Sequence, residues 1–77
     1  MQKIDYIFKT NLGGSISVFG GVNLDVIATF ANTDLGKIAF SYWCQSMMIH
    51  HTKRNEVFRL KDALSGEYIT PSLEDIV

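Results

Sequence analysis

Residues 33–54 read TDLGKIAFSYWCQSMMIHHTKR, and the fold turns on whether they are a helix or a strand followed by a loop. Ile38, Phe40 and Tyr42 recur every second residue, the period that lines one face of a sheet. The helical alternative starts at Thr33 as a cap with Asp34 in the first turn. It sets Leu35, Ile38, Ala39, Tyr42, Trp43 and Ser46 on one face and ends on His50, His51, Lys53 and Arg54, which complement a C-terminal dipole. Gly36 costs such a helix about 1 kcal/mol. Phe40, Tyr42 and Trp43 suit a strand better than a helix. The local reading therefore favours a strand through Trp43, followed by a helical turn or loop over 45–51.

Upstream the alternation is clearer. Ile4, Tyr6 and Phe8, then Ile16 and Val18, then Leu24, Val26, Ala28 and Phe30 each keep a period of two, broken by glycine-bearing turns. Thr10 to Gly14 is a hairpin turn expected to set Phe8 opposite Ile16 and Tyr6 opposite Val18. A two-residue turn at Gly20-Gly21 would mix the two faces, so a bulged or three-residue connection is expected, with Val18 opposite Val22 or Leu24. Asn32 to Lys37 has the order of a type I turn closed by a left-handed glycine.

Downstream, 52–64 reads as a helix with Val57, Leu60 and Leu64 on one stripe and Gly66 as its stop. It also reads as a hairpin in which Val57–Lys61 and Glu67–Thr70 flank the Asp62-to-Gly66 turn. The helix is preferred because a sheet needs its apolar face covered. Thr70, Pro71 and the acids after them suit a short final helical turn. The expected fold is a single α+β domain over 1–77, an antiparallel meander of three to four strands packed with one helix. The alternative is a small all-β barrel with a C-terminal hairpin.

A chain of 77 residues is near the size at which one core is barely sufficient. Its charged fraction of 19% is low for a small domain with so much surface, which implies exposed apolar area and a partner to cover it. The net charge of −1 indicates neither a nucleic-acid mimic nor a DNA-coating protein. A lone cysteine, Cys44, rules out an intrachain disulfide and suits a reducing compartment, so a cytoplasmic location is expected. No signal peptide and no run long enough to cross a bilayer is evident.

No catalytic or cofactor motif stands out. Cys44, His50 and His51 are the candidates for thiol or zinc chemistry, but their spacing matches no ligand cluster. The glycine pairs lack a strand, loop and helix arrangement that cradles phosphate. The expectation is a non-enzyme without cofactor or metal that binds a protein partner through Trp43, Met47, Met48, Lys53, Arg54, Phe58 and Arg59, as a stoichiometric inhibitor or adaptor. Trp43 and Ile49 are assigned to the core, with at least one of Met47 and Met48 exposed. The small size suits proteins carried by phages and mobile elements. A homodimer through a strand edge or the Trp43–Ile49 cluster is compatible. The rival reading is a nucleic-acid-binding domain using the basic 50–61 segment, with Lys53, Arg54, Arg59 and Lys61 on phosphates and Tyr42, Trp43 or Phe58 stacking bases.

Overall fold

The computed structural model describes residues 2–69. In chain order it forms β1 (Gln2–Thr10), β2 (Ile16–Gly20), β3 (Asp25–Phe30), α1 (Asp34–Lys53), β4 (Glu56–Asp62) and β5 (Tyr68–Ile69). The protein is α+β, with five strands in the order β3-β2-β1-β4-β5 and α1 packed against one face of the sheet. All neighbouring strands are antiparallel except β1 and β4. No helix is long and apolar enough to cross a membrane among the described residues.

The N-terminal meander and the single helix are as expected, but helix and fourth strand lie in exchanged places. Residues 34–53 are helical, not a strand and loop. Extended Thr33 is the cap, and its hydroxyl accepts from the Gly36 N–H at 3.0 Å. Gly36 proves to be the residue that lets α1 begin so soon after β3. A Cβ built there would lie 2.0 Å from the Ala31 carbonyl oxygen, so only glycine fits. Its cost in propensity is outweighed by this close approach.

The second correction concerns 52–64, which is not a helix. Asn55 takes a left-handed conformation (φ 59°) and stops α1 in the role usually given to glycine. The chain then runs as β4 parallel to β1, from Gln2 opposite Glu56 to Phe8 opposite Asp62. Parallel neighbours require a crossover, and α1 supplies it by carrying the chain from the β3 edge past β2 and β1. The Asp62-to-Gly66 turn then makes the C-terminal hairpin: Asp62 N–H donates to Glu67 O, Gly66 N–H to Asp62 O, and Leu64 N–H to the Asp62 carboxylate. The expected final helical turn from Thr70 falls outside the described residues.

Both meander registers are shifted from those expected. Phe8 faces Val18, not Ile16, a slip of two residues that leaves every side chain on its face. Gly21 to Leu24 form a four-residue connection, and Val18 pairs with Ala28. A bulge does occur, but inside the strand pair and not at the connection: Phe19 pairs with Val26, leaving Ile27 extra.

Alternation sends Tyr6, Phe8, Ile16, Val18, Ala28, Phe30, Phe58 and Leu60 toward α1. Phe40, Trp43 and Cys44 meet them from the helix, and Val18, Leu60 and Cys44 are fully buried. Leu60→Ala should cost about 2–5 kcal/mol in urea unfolding through the cavity it leaves. Gly36→Ala should also destabilise, although alanine is the better helix former by about 1 kcal/mol. An unchanged or raised urea midpoint for Gly36→Ala would show that the Ala31 contact yields freely.

Candidate interaction surface

The residues singled out from sequence do not form one site. Trp43 and Phe58 are half-buried in the core, where the Trp43 ring stands edge-on to Tyr6 (6.0 Å, 88°) and Phe58 (5.9 Å, 74°). Phe58 therefore cannot offer a face for base stacking. Met47 and Met48 are both half-buried, so neither is the exposed methionine expected, whereas Ile49, assigned to the core, is 50% exposed.

Strand alternation divides the basic segment. Lys53 and Arg54 stay at the end of α1, while Arg59 and Lys61 point to the sheet face opposite the helix. Arg59 is held by Asp5 in a two-pronged ion pair, Nε–Oδ1 2.6 Å and Nη2–Oδ2 2.8 Å, and lies 4.4 Å from the Tyr68 ring centre. The Arg59 hydrogen bond is the main cause holding the Asp5 carboxyl below its ordinary value.

Where α1 ends, a chain of polar side chains enters the core. The buried His51 ring places Nε2 2.9 Å from the Tyr6 hydroxyl and Nδ1 2.9 Å from Glu56 Oε1. A carboxylate can only accept, so in the neutral ring Nδ1 carries the proton and Nε2 accepts from Tyr6. Arg54 Nε also donates to Glu56 Oε1 at 3.2 Å, and His51 stacks on Phe58 with rings 7° from parallel. A hydroxyl, imidazole and carboxylate in line have the outline of an activated nucleophile. Here burial raises the Tyr6 pKa, which opposes ionisation. These side chains line no part of the hollow on the outer side of α1, which is bounded by Gln45, Met48, Ile49 and Thr52. The cluster ties the helix end to β1 and β4.

Cys44 is likewise a packing residue, since burial pushes its thiol up to about 11 and keeps it protonated at neutral pH. Among the described residues no three His, Cys, Asp or Glu side chains gather as a metal site.

What the structure does assemble is an apolar stripe on α1 facing away from the sheet. Leu35, Ile38, Tyr42 and Ile49 are 79, 46, 56 and 50% exposed. The helical alternative sets Leu35, Ile38, Ala39, Tyr42, Trp43 and Ser46 on one face; of these Trp43 meets the core, which otherwise takes Gly36, Phe40, Cys44 and His51. Both sets have helical spacing, and the missed signal was that a helix apolar on two sides needs two partners. Leu12 and Leu64 are exposed too, but singly in turns, while Val22, Leu24, Val26 and Ile27 make a second exposed apolar group on edge strand β3 and the turn before it. No protein-family model, no curated protein and no solved structure matches this chain.

The polar cluster makes stability depend on pH. The His51 hydrogen bond is the first cause lowering the Glu56 pKa from its ordinary 4.5, burial opposes it, and Arg54 adds to it. A carboxyl depressed in the folded state contributes stability above its unfolded pKa and loses it as pH falls through the folded one. Glu56→Gln should therefore have a lower unfolding midpoint than wild type at pH 7 and a shallower decline between about pH 5 and pH 3. Parallel stability curves for the two proteins would detach Glu56 from the acid response.

Proposed function

We propose that this chain is a non-catalytic protein-binding module, acting by stoichiometric occupation of a target as an inhibitor or adaptor, with the outer side of α1 as its contact surface. One observation carries the reading: four large apolar side chains, one of them a tyrosine, stand exposed in line on a helix whose opposite side already fills the core. Contiguous exposed apolar area of this kind marks interaction surfaces, and tyrosine is over-represented among residues that dominate binding energy. Support also comes from the chemistry of the interior. Cys44 and the Tyr6–His51–Glu56 chain are engaged in packing and in mutual hydrogen bonds.

A second reading, nucleic-acid binding, has its own observation. Lys3, Lys9, Arg59 and Lys61 share the sheet face opposite α1, with Asp5 the carboxylate among them on β1 and β4. Phe19 and Tyr68 lie on that same face, which gives cations beside aromatic rings. The Asp5 and Tyr68 contacts already engage Arg59, which makes this the weaker reading.

Tagged wild-type, Ile38→Glu and Lys61→Glu proteins, each used to capture partners from native lysate with and without nuclease, separate the two. A protein recovered in fixed ratio after nuclease, retained by Lys61→Glu and lost by Ile38→Glu, is the expected result. Nucleic acid lost selectively by Lys61→Glu, with binding that weakens steeply as salt rises, would move the function to the sheet face.

A further inference from the structure

We infer that the outer face of α1 is covered by a second copy of this chain, whose own α1 lies antiparallel across a two-fold axis. This rests on the protein-binding reading of the same surface: the second copy covers that surface in the free protein and is displaced where a target binds more tightly.

The spacing comes first. Leu35, Ile38, Tyr42, Gln45, Ile49 and Thr52 follow one another in steps of three, four, three, four and three, the heptad repeat of helices that pack along a seam. In such seams a side chain of one helix enters a hole made by four residues of the other. Gln45, Met48, Ile49 and Thr52 stand at i, i+3, i+4 and i+7 and line an open hollow of about 250 Å³ on the outer side of α1. That is a four-residue hole of the required kind.

The seam also complements itself. With the helices antiparallel, one register pairs Leu35 with Thr52, Ile38 with Ile49 and Tyr42 with Gln45, and repeats the same pairs in reverse beyond the axis. Ile38 of one copy then enters the hole around Ile49 of the other. In return Ile49 meets the hole made by Leu35, Ile38, Ala39 and Tyr42, where the small, exposed Ala39 leaves room. The contact is isologous and closed, so it stops at a dimer.

The helix dipoles set the direction. Antiparallel packing brings the N-terminal end of one α1, with Asp34 and Lys37, to the level of the other copy's C-terminal end and so opposes the two dipoles; parallel packing would bring like ends together. At 1.5 Å per residue the seam is roughly 27 Å long, enough to bury on the order of 1,000 Å² in all, the lower end for specific association. Monomer and dimer should therefore exchange at micromolar concentrations.

Cysteine pairing tests both the occupant and its direction, with buried Cys44 left in place and wild type as the control. In the antiparallel dimer, position 38 faces position 49 of the other copy and lies roughly 16 Å along the seam from position 38. A disulfide needs Cα atoms within about 7 Å. Mixing Ile38→Cys with Ile49→Cys under mild oxidation should give the mixed disulfide dimer, and neither variant alone should cross-link. Sedimentation should show a concentration-dependent dimer whose dissociation constant rises at least tenfold in Ile38→Glu with helical circular dichroism unchanged. Cross-linking of Ile38→Cys to itself would overturn the antiparallel arrangement. A monomer mass throughout the micromolar range would overturn the dimer. If a lysate protein were still lost by Ile38→Glu in that case, the binding surface would stand with a different occupant; if none were, the protein-binding reading would fall too.

Discussion

The packing of Trp43 against the Tyr6 and Phe58 rings decides which way the helix faces. Its edge-on contacts span β1 and β4, the two parallel strands at the centre of the sheet. With Trp43 placed there, Cys44 is driven fully inside beside Val18 and Leu60, and Phe40 reaches Phe8 and Phe30. Edge-on ring pairs are worth about 0.5–1.5 kcal/mol each beyond their buried area, so this aromatic set is a large share of what a small core can offer. Helical geometry then leaves no choice about the remainder. Leu35, Ile38, Tyr42 and Ile49 point outward because their neighbours point inward.

The polar chain at the other end of the helix works with this packing. A buried imidazole without partners would be costly, yet His51 has Tyr6 on one nitrogen and Glu56 on the other. Those partners come from β1 and from the first residue of β4, so the hydrogen bonds form only when α1 has returned the chain to the correct edge of β1. The same segment that ends the helix, Arg54 and left-handed Asn55, puts Glu56 within reach. Position and polarity are thus settled together, and the Tyr6–His51–Glu56 line acts as a latch between helix end and sheet.

A protein of this size has few ways to bury what it carries. One helix against one face of a five-stranded sheet satisfies one side of the helix and leaves two apolar or charged surfaces free: the outer stripe of α1 and the far side of the sheet. The first is made of aliphatic side chains and a tyrosine; the second mixes Lys3, Lys9, Lys61 and the Asp5–Arg59 pair with Phe19, Val26 and Tyr68. Association through the first would remove apolar area from water.

Much of this was legible from local pattern. Period-two alternation located the three meander strands and the inward faces of β1 and β2, because on a sheet the face depends only on parity and survives a register slip of two, as Phe8 and Val18 show. On β3 the bulge at Ile27 breaks the parity, so Ala28 and Phe30 face the core while Val26, read with them, pairs with Phe19 on the other face and Leu24 lies in the turn. The Thr33 cap and the Asp62-to-Gly66 turn were also visible, each through side-chain hydrogen bonds to nearby backbone. Local pattern could not rank α1 over a strand at 38–42, or β4 over a helix at 52–64, since both stretches carry both periods. The tertiary structure decided those: Gly36 is explained by the Ala31 carbonyl, and β4 by seven residues of pairing with a strand more than fifty positions away. It also decided which apolar stripe of α1 became core, because two stripes of equal spacing differ only in what they meet, and only one of them meets the sheet.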